Sequence, residues 1–389
     1  MIKLRWNKKN LNFERVEWSG TDTQASRQVT FTIPANHYDK NFKNAAIKLG
    51  DIVSLYDGKN RIFVGVVTSR EKNAAIGTAS YTARDFMHYL LRSNVSQIFR
   101  EKTPEQIARQ VCKMAGVSCG DLAKTGVNIK KLIFDDKSIY DIILRAYRGA
   151  VAKTGKRYML VMDGKKLSVV TKGTDSKVTL EQGKDITGAT YSDTTDNMVN
   201  LVRIYNDKKQ QIGVVEKKSL TKKYGIYQST YTKEKGTDAK KEAESMMVGI
   251  AKEASVEAIG NILAVSGKSI VIYDKAAGLS GKFYITADTH VFENGTHTMT
   301  LELAWKNTME SGTDTETEPK SGAKKKTHST SAVGYYLEDG AAYHSSTSCS
   351  ALSGKTPKKA AVSEILKITL KRGENKGKPK YKKCEKCWR

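Results

Sequence analysis

Residues 51–67 read DIVSLYDGKNRIFVGVV. Two runs rich in β-branched and aromatic residues flank Gly58-Lys59-Asn60, a turn-compatible stretch, so the segment reads as two strands of a hairpin. Upstream, QVTFTI (28–33) alternates apolar and polar residues and is stopped by Pro34, the pattern of a half-buried strand. Downstream, TASYTARDFMHYLL (78–91) begins as a strand and turns helical at Asp85, whose carboxylate suits an N-cap. Residues 1–95 are therefore expected to form a small antiparallel barrel or sandwich closed by a helix.

Residues 96–180 read as an α/β region. In KTPEQIARQVCKMAGV (102–117), Thr103 is the expected N-cap, Pro104 the first helical residue, Gln106 the partner in a capping box and Gly116 the C-cap. Cys112 falls on the apolar side of this helix with Ile107, Val111 and Ala115, where a core role outweighs a nucleophilic one. Cys119 follows in a loop with no histidine nearby to activate it. SIYDIILRAYRGAVAKTG (138–155) reads as a second helix, and RYMLVMDGKKLSVVTKG (157–173) as a hairpin around Asp163-Gly164.

Residues 181–306 return to β patterns. MVNLVRIYN (198–206) and QIGVVEK (211–217) read as strands, and the basic run KKSLTKKYG (217–225) follows. Residues 237–264 suggest a long amphipathic helix with Ala243, Met246, Met247, Ile250, Ala254 and Ile259 near one face. Two closing strands, 282–292 and 297–305, are linked through Asn294-Gly295, the strongest short hairpin signal. This region echoes the first one loosely: both are β-rich units of similar size with one helix. Residues 307–332 hold almost no large apolar side chain and read as a flexible linker.

The net charge of +25 attracts phosphate, but it is carried mostly by lysines spread along all 389 residues. No stripe of arginines interleaved with stacking aromatics accompanies it, which argues for a solvated surface over a nucleic-acid face. No window approaches the ~18 apolar residues of a membrane span. The opening residues have no apolar core of the secretory type, so synthesis in a reducing cytoplasm is expected.

The chain's five cysteines include a terminal Cys384-x-x-Cys387. Cys349 and His344 lie upstream with His-x4-Cys spacing. Together His344, Cys349, Cys384 and Cys387 make a mixed imidazole–thiolate set of the closed tetrahedral zinc type. The enclosing module, 333–389, is too small for comfortable stability alone, and a structural metal supplies what its core lacks. A redox pair would want a βαβ context that the surroundings of Cys384 do not supply, and a disulfide would want an oxidising compartment. Four protein ligands leave no open position for catalysis.

Catalysis elsewhere finds little support. There is no His-Glu-x-x-His and no Gly-rich phosphate loop, and no acidic pair stands out in an apolar setting. The histidines at 37, 88, 290, 297, 328 and 344 are scattered. His290 and His297 flank the Asn-Gly turn and read as strand-surface residues. The expected class is a mainly β chain with α+β insertions: two small β-barrel-like units, an intervening α/β region and a zinc-stapled C-terminal module. It is not expected to be an enzyme.

LGDIVSLYDGKNRIFVGVVTSRE (49–71) followed by YTARDFMHYLLRSNV (81–95) resembles the N-terminal part of baseplate hub proteins of contractile tails, the late-control D-type hubs and their relatives in defective prophages and phage-tail-like bacteriocins. GLSGKFYITADTHVFENGTHTMTLEL (278–303) resembles that family's closing β unit. The resemblance covers roughly residues 1–305 and its motifs are structural. The terminal His-Cys-Cys-Cys module resembles small zinc modules appended to many bacterial proteins. The resemblance implies a homotrimeric ring of two tube-like units per subunit, adapting a sixfold tail tube to a threefold spike. It also implies tube or tube-initiator, spike and tape-measure proteins as partners. The location implied is the bacterial cytoplasm during assembly and the released tail afterwards. Two other readings are weighed against it. One is a tail-associated peptidoglycan hydrolase or cell-wall-binding protein, with an anionic cell wall as partner of the basic C-terminus. The other is a basic zinc-containing nucleic-acid-binding protein, since residues 371–389 carry nine Lys or Arg against two Glu.

Overall fold

In the computed structural model the opening region forms seven strands: β1 (Ile2–Trp6), β2 (Lys9–Leu11), β3 (Arg15–Thr21), β4 (Gln28–Pro34), β5 (Ile52–Asp57), β6 (Asn60–Asn73) and β7 (Thr78–Arg84). The turn that the sequence marks is present. Asp57 pairs with Asn60, and Gly58 takes a left-handed φ of 59° that favours glycine. Alternation decides the buried face: Val29, Phe31 and Ile33 of β4 point inward, and Phe31 stacks on Tyr81 with ring centres 5.2 Å apart. The structure describes residues 2–23, 26–36, 38–73, 77–234, 236–309, 333–344, 349–353, 355–361, 365–366, 368–369 and 380–384. The expected linker, from residue 310 onward, lies outside them.

The middle region holds α1 (Met87–Arg92), β8 (Asn94–Lys102), α2 (Pro104–Met114), β9 (Ser118–Leu122), β10 (Ile129–Ser138), α3 (Ile139–Thr154), β11 (Tyr158–Asp163) and β12 (Lys166–Thr171). The Thr103–Gln106 capping box forms with Pro104 at the first helical position, and Cys112 is fully buried beside Ile107 and Val111. In α3, Ser138 caps the start and left-handed Gly155 the end. Helix α1 begins later than the sequence suggests. Phe86, without a side-chain cap, is its N-cap residue, while the Asp85 carboxylate accepts from the Met87 N–H.

The third region contains β13 (Asp175–Glu181), β14 (Ile186–Thr194), β15 (Leu201–Tyr205), β16 (Gln211–Glu216), α4 (Lys218–Tyr224), β17 (Gln228–Thr232), α5 (Ala239–Ser245), β18 (Ala251–Ile259), β19 (Ser269–Asp274), β20 (Leu279–Glu293) and β21 (Thr296–Ala304). The long helix expected over 237–264 is not there. Helix α5 ends at Ser245, and residues 251–259 form β18 instead, paired with β14 and β21. The reason is that Ala254, Val256 and Ala258 also satisfy period two. Facing neighbours on both sides bury all three, and tertiary pairing outweighs helix propensity. At the Asn294-Gly295 turn both residues have positive φ, at 51° and 76°.

Thirteen strands form one sheet, whose main path runs β14-β18-β21-β20-β3-β4-β7-β6-β5-β1-β2, with β19 and β13 branching from β20. The opening and third regions thus meet strand to strand where β20 pairs antiparallel with β3, from Ala287↔Thr21 to Glu293↔Arg15. Mainly β architecture, as the sequence predicts, stands.

Residues 1–314 form one compact unit and 315–389 another. In the latter, β22 (Val333–Tyr336), β23 (Ala342–His344), β24 (Lys358–Ala361) and β25 (Lys382–Lys383) form a four-stranded sheet in the order β24-β22-β23-β25.

Candidate functional site

Two constellations carry chemistry, one in each unit. In the smaller unit, β23 pairs in parallel with β25, Tyr343 opposite Lys383, and the Cys384 N–H donates to the Tyr343 carbonyl at 3.0 Å. That register sets Cys384 beside His344. Cys349 precedes a 3₁₀ turn (Ser350–Leu352), in which the Leu352 N–H donates to the Cys349 carbonyl at 2.8 Å. His344 Nδ1 lies 3.3 Å from Cys349 Sγ, which lies 3.9 Å from Cys384 Sγ, and the three ligand atoms fall within 4.8 Å of one another.

These spacings suit zinc. A tetrahedral centre with Zn–S of about 2.3 Å holds its sulfurs about 3.8 Å apart. All three side chains are buried, and Leu352, Tyr335 and Leu337 pack about the sulfurs. Burial lowers the pKa of His344, which favours the neutral imidazole that a metal requires. None of the described cysteines forms a disulfide. Cys387, the expected fourth ligand, lies outside the described residues.

In the larger unit, a buried ionic seam runs along the junction of β3 with β20. Arg27 forms a bidentate pair with Asp288, one bond being Nη1 to Oδ1 at 2.9 Å. The Ser266 N–H donates to the same carboxylate at 2.6 Å. The guanidinium lies over the Trp18 ring, 4.2 Å from its centre. His290 Nε2 is 3.1 Å from the Ala264 carbonyl, and its Nδ1 is 3.1 Å from His297 Nε2. The two histidines therefore do face each other, but His290 is wholly buried, which corrects the strand-surface reading. The cause is that Asp288, His290 and Phe292 take the inward positions of β20 after its pairing register with β21 shifts between Ile285 and Ala287.

Burial pushes the Asp288 carboxyl upward, yet the Arg27 charge and the hydrogen bond from His290 overcome it and hold the group well below the usual carboxylate range. Burial, then the neighbouring His290, bring His297 down to about 4. Asp85 behaves oppositely. Burial raises it to about 6, against hydrogen bonds from Ser26 Oγ and the N–H groups of Arg27 and Met87. Lys172, just after β12, pairs with Asp22 at 2.5 Å and donates to the Thr308 carbonyl at 2.6 Å. Asp22, Arg27, Asp85 and Lys172 line one cavity of about 260 Å³ where the three regions meet. In the middle region, a hydrogen bond from the Cys112 thiol lowers the pKa of Cys119, a pairing the sequence did not suggest.

Nothing in single-residue patterns announced Arg27–Asp288, whose members stand 261 positions apart. One signal was available: counting back in twos from Phe292 puts His290 and Asp288 on the inward face, and an inward charge demands a buried partner.

A family profile described as YQBQ-like matches residues 16–304 of this chain, and residues 305–389 lie beyond it. The phage-like element PBSX protein XkdQ of Bacillus subtilis (strain 168) is 29% identical over 313 residues, 77% of this chain and 94% of the relative. Among solved structures, the 43 kDa tail protein of prophage MuSo2 from Shewanella oneidensis aligns with a TM-score of 0.61 at 15% identity, covering 78% of this chain and 97% of that one. The tail protein from Neisseria meningitidis MC58 aligns at 0.57 and 13% identity, covering 78% and 95%. At such identities these likenesses speak for the fold.

Proposed function

We propose that this chain, which belongs to the YQBQ-like family, is a structural protein of a phage-type tail baseplate and serves there as the hub. Three copies form a ring whose six β units surround a channel, matching a sixfold tube on one side and a threefold spike on the other. The observation that carries this reading is the β3–β20 junction. One protomer already joins two β units edge to edge in a single sheet, which is how three subunits supply six similar units. The phage-like-element name of XkdQ and the tail-protein names of the two matched structures support the same reading. Tube or tube-initiator, spike and tape-measure proteins are the partners it implies.

The chain's task is mechanical and no reaction step is assigned to it. The Arg27–Asp288 pair, the Asp22–Lys172 pair and the β3–β20 backbone bonds hold the regions of unit 1–314 together under load. In unit 315–389, His344, Cys349 and Cys384, with Cys387 as fourth ligand, hold a structural zinc. The metal supplies folding free energy to a sheet of short strands.

Native mass spectrometry of the full-length protein under metal-retaining conditions tests both assignments. Three chains carrying three zinc ions are expected. A monomer at every concentration overturns the ring, and a metal-free assembly overturns the zinc site.

A further inference from the structure

Among the described residues, the main path of the thirteen-stranded sheet ends in two edges of opposite chemistry, and β13 forms a third edge on the branch from β20. At one end lies β14, nine residues long, paired on one side with β18; Thr190 to Thr194 are all exposed. From Asp185 to Asp196 the sequence carries three aspartates, at 185, 193 and 196, and no Lys or Arg, in a chain that holds 66 of those. At the other end lies β2, paired with β1, with Lys8, Lys9 and Asn10 exposed. Residues 1–12 carry Lys3, Arg5, Lys8 and Lys9 and no acidic residue.

Edge strands of soluble proteins are commonly guarded against further pairing by lysine, proline or a covering element. Strand β14 has no lysine and no proline, and among the described residues no strand follows it in the sheet. Its unpaired N–H and C=O groups therefore remain available to another strand. Self-pairing of two β14 edges would gather aspartates from both copies and is disfavoured by like charge. Pairing β14 with the basic edge satisfies both backbone and charge.

We infer that the β14 edge docks on the β1–β2 edge of a second copy of this chain, acidic against basic, so that one sheet continues into the next. Such a contact uses two different patches and is heterologous, and heterologous contacts generate closed rings when the rotation closes. The inference rests on the ring reading above and names the surface that builds it.

The test compares the subunit count of four full-length forms by native mass spectrometry and sedimentation at low salt. They are the unaltered chain, Asp193→Lys with Asp196→Lys, Lys8→Glu with Lys9→Glu, and all four changes together. All four positions are exposed, and circular dichroism verifies that each form keeps its fold. Each pair of changes alone sets like charges against each other and is expected to weaken association by about ten-fold or more. The fourfold form restores complementarity in reverse and is expected to regain the assembly of the unaltered chain. If the unaltered chain assembles and either pair of changes leaves the assembly intact, these edges are not the interface, and the ring reading survives without them. If both pairs disrupt and the fourfold form stays dissociated, the charge pairing is wrong. If the unaltered chain never assembles, the ring and the edge contact fall together.

Discussion

Replacing Asp288 by alanine is expected to cost the larger unit about 3 kcal/mol or more, the scale on which removing one member of a buried pair strands the other. Asp288 is fully buried, and its carboxylate takes the Arg27 guanidinium and the Ser266 N–H together. The loss leaves Arg27 over Trp18 without a counter-ion. Arg15→Ala makes the control, because Arg15 and Glu293 pair at 3.1 Å at the end of the same junction with both side chains well exposed. An exposed pair of this kind is worth at most about 1 kcal/mol. Denaturant unfolding of both variants checks the contrast, and equal losses would mean that the seam is not where the two β units are tied.

The pH dependence follows in sign. Asp288 is depressed in the folded chain, so its contribution is fully present above the unfolded carboxylate value of about 3.9 and is lost as pH falls toward the folded value. His297 is lowered to about 4, so protons bind the unfolded chain first, and stability declines as pH falls from about 6.5 to 4. Asp85, raised to about 6, acts in the opposite direction. It lowers stability as pH climbs from about 4 through 6, and full ionisation leaves that cost in place above.

Chelation should have the larger effect on the smaller unit. Structural zinc contributes on the order of 10 kcal/mol to small zinc-dependent folds, more than a four-stranded sheet of this size supplies from its core. Stripping the metal, or Cys384→Ser, is expected to unfold residues 333–389 and open them to proteolysis, while the unfolding transition of residues 1–314 is unchanged. Retention of protease resistance after complete metal removal would show that the Tyr343, Ile365 and Tyr381 cluster suffices by itself.

How far sequence carries depends on the range of the forces involved. The turns at Gly58, Gly164 and Asn294-Gly295 and the Thr103–Gln106 capping box were readable because local backbone chemistry decides them. Spacing led to the expectation that His344, Cys349 and Cys384 come together, and the strand register that sets Cys384 beside the other two lies beyond it. Strand β18 was misread as helix because its alanines and valine fit both periods, and only its neighbours choose between them. Strands β8 and β10 pass unnoticed since exposed polar residues fill one face and supply little apolar contrast. The Arg27–Asp288 seam is a product of topology, and no local pattern encodes a partner two regions away.

Cryo-electron microscopy of the purified full-length protein tests the hub reading most directly. The expected result is a closed ring of three chains around an open channel, with six β units at near-equal spacing and the β3–β20 junction intact within each subunit. A ring of another order, an open filament, or a compact particle without a channel would contradict it.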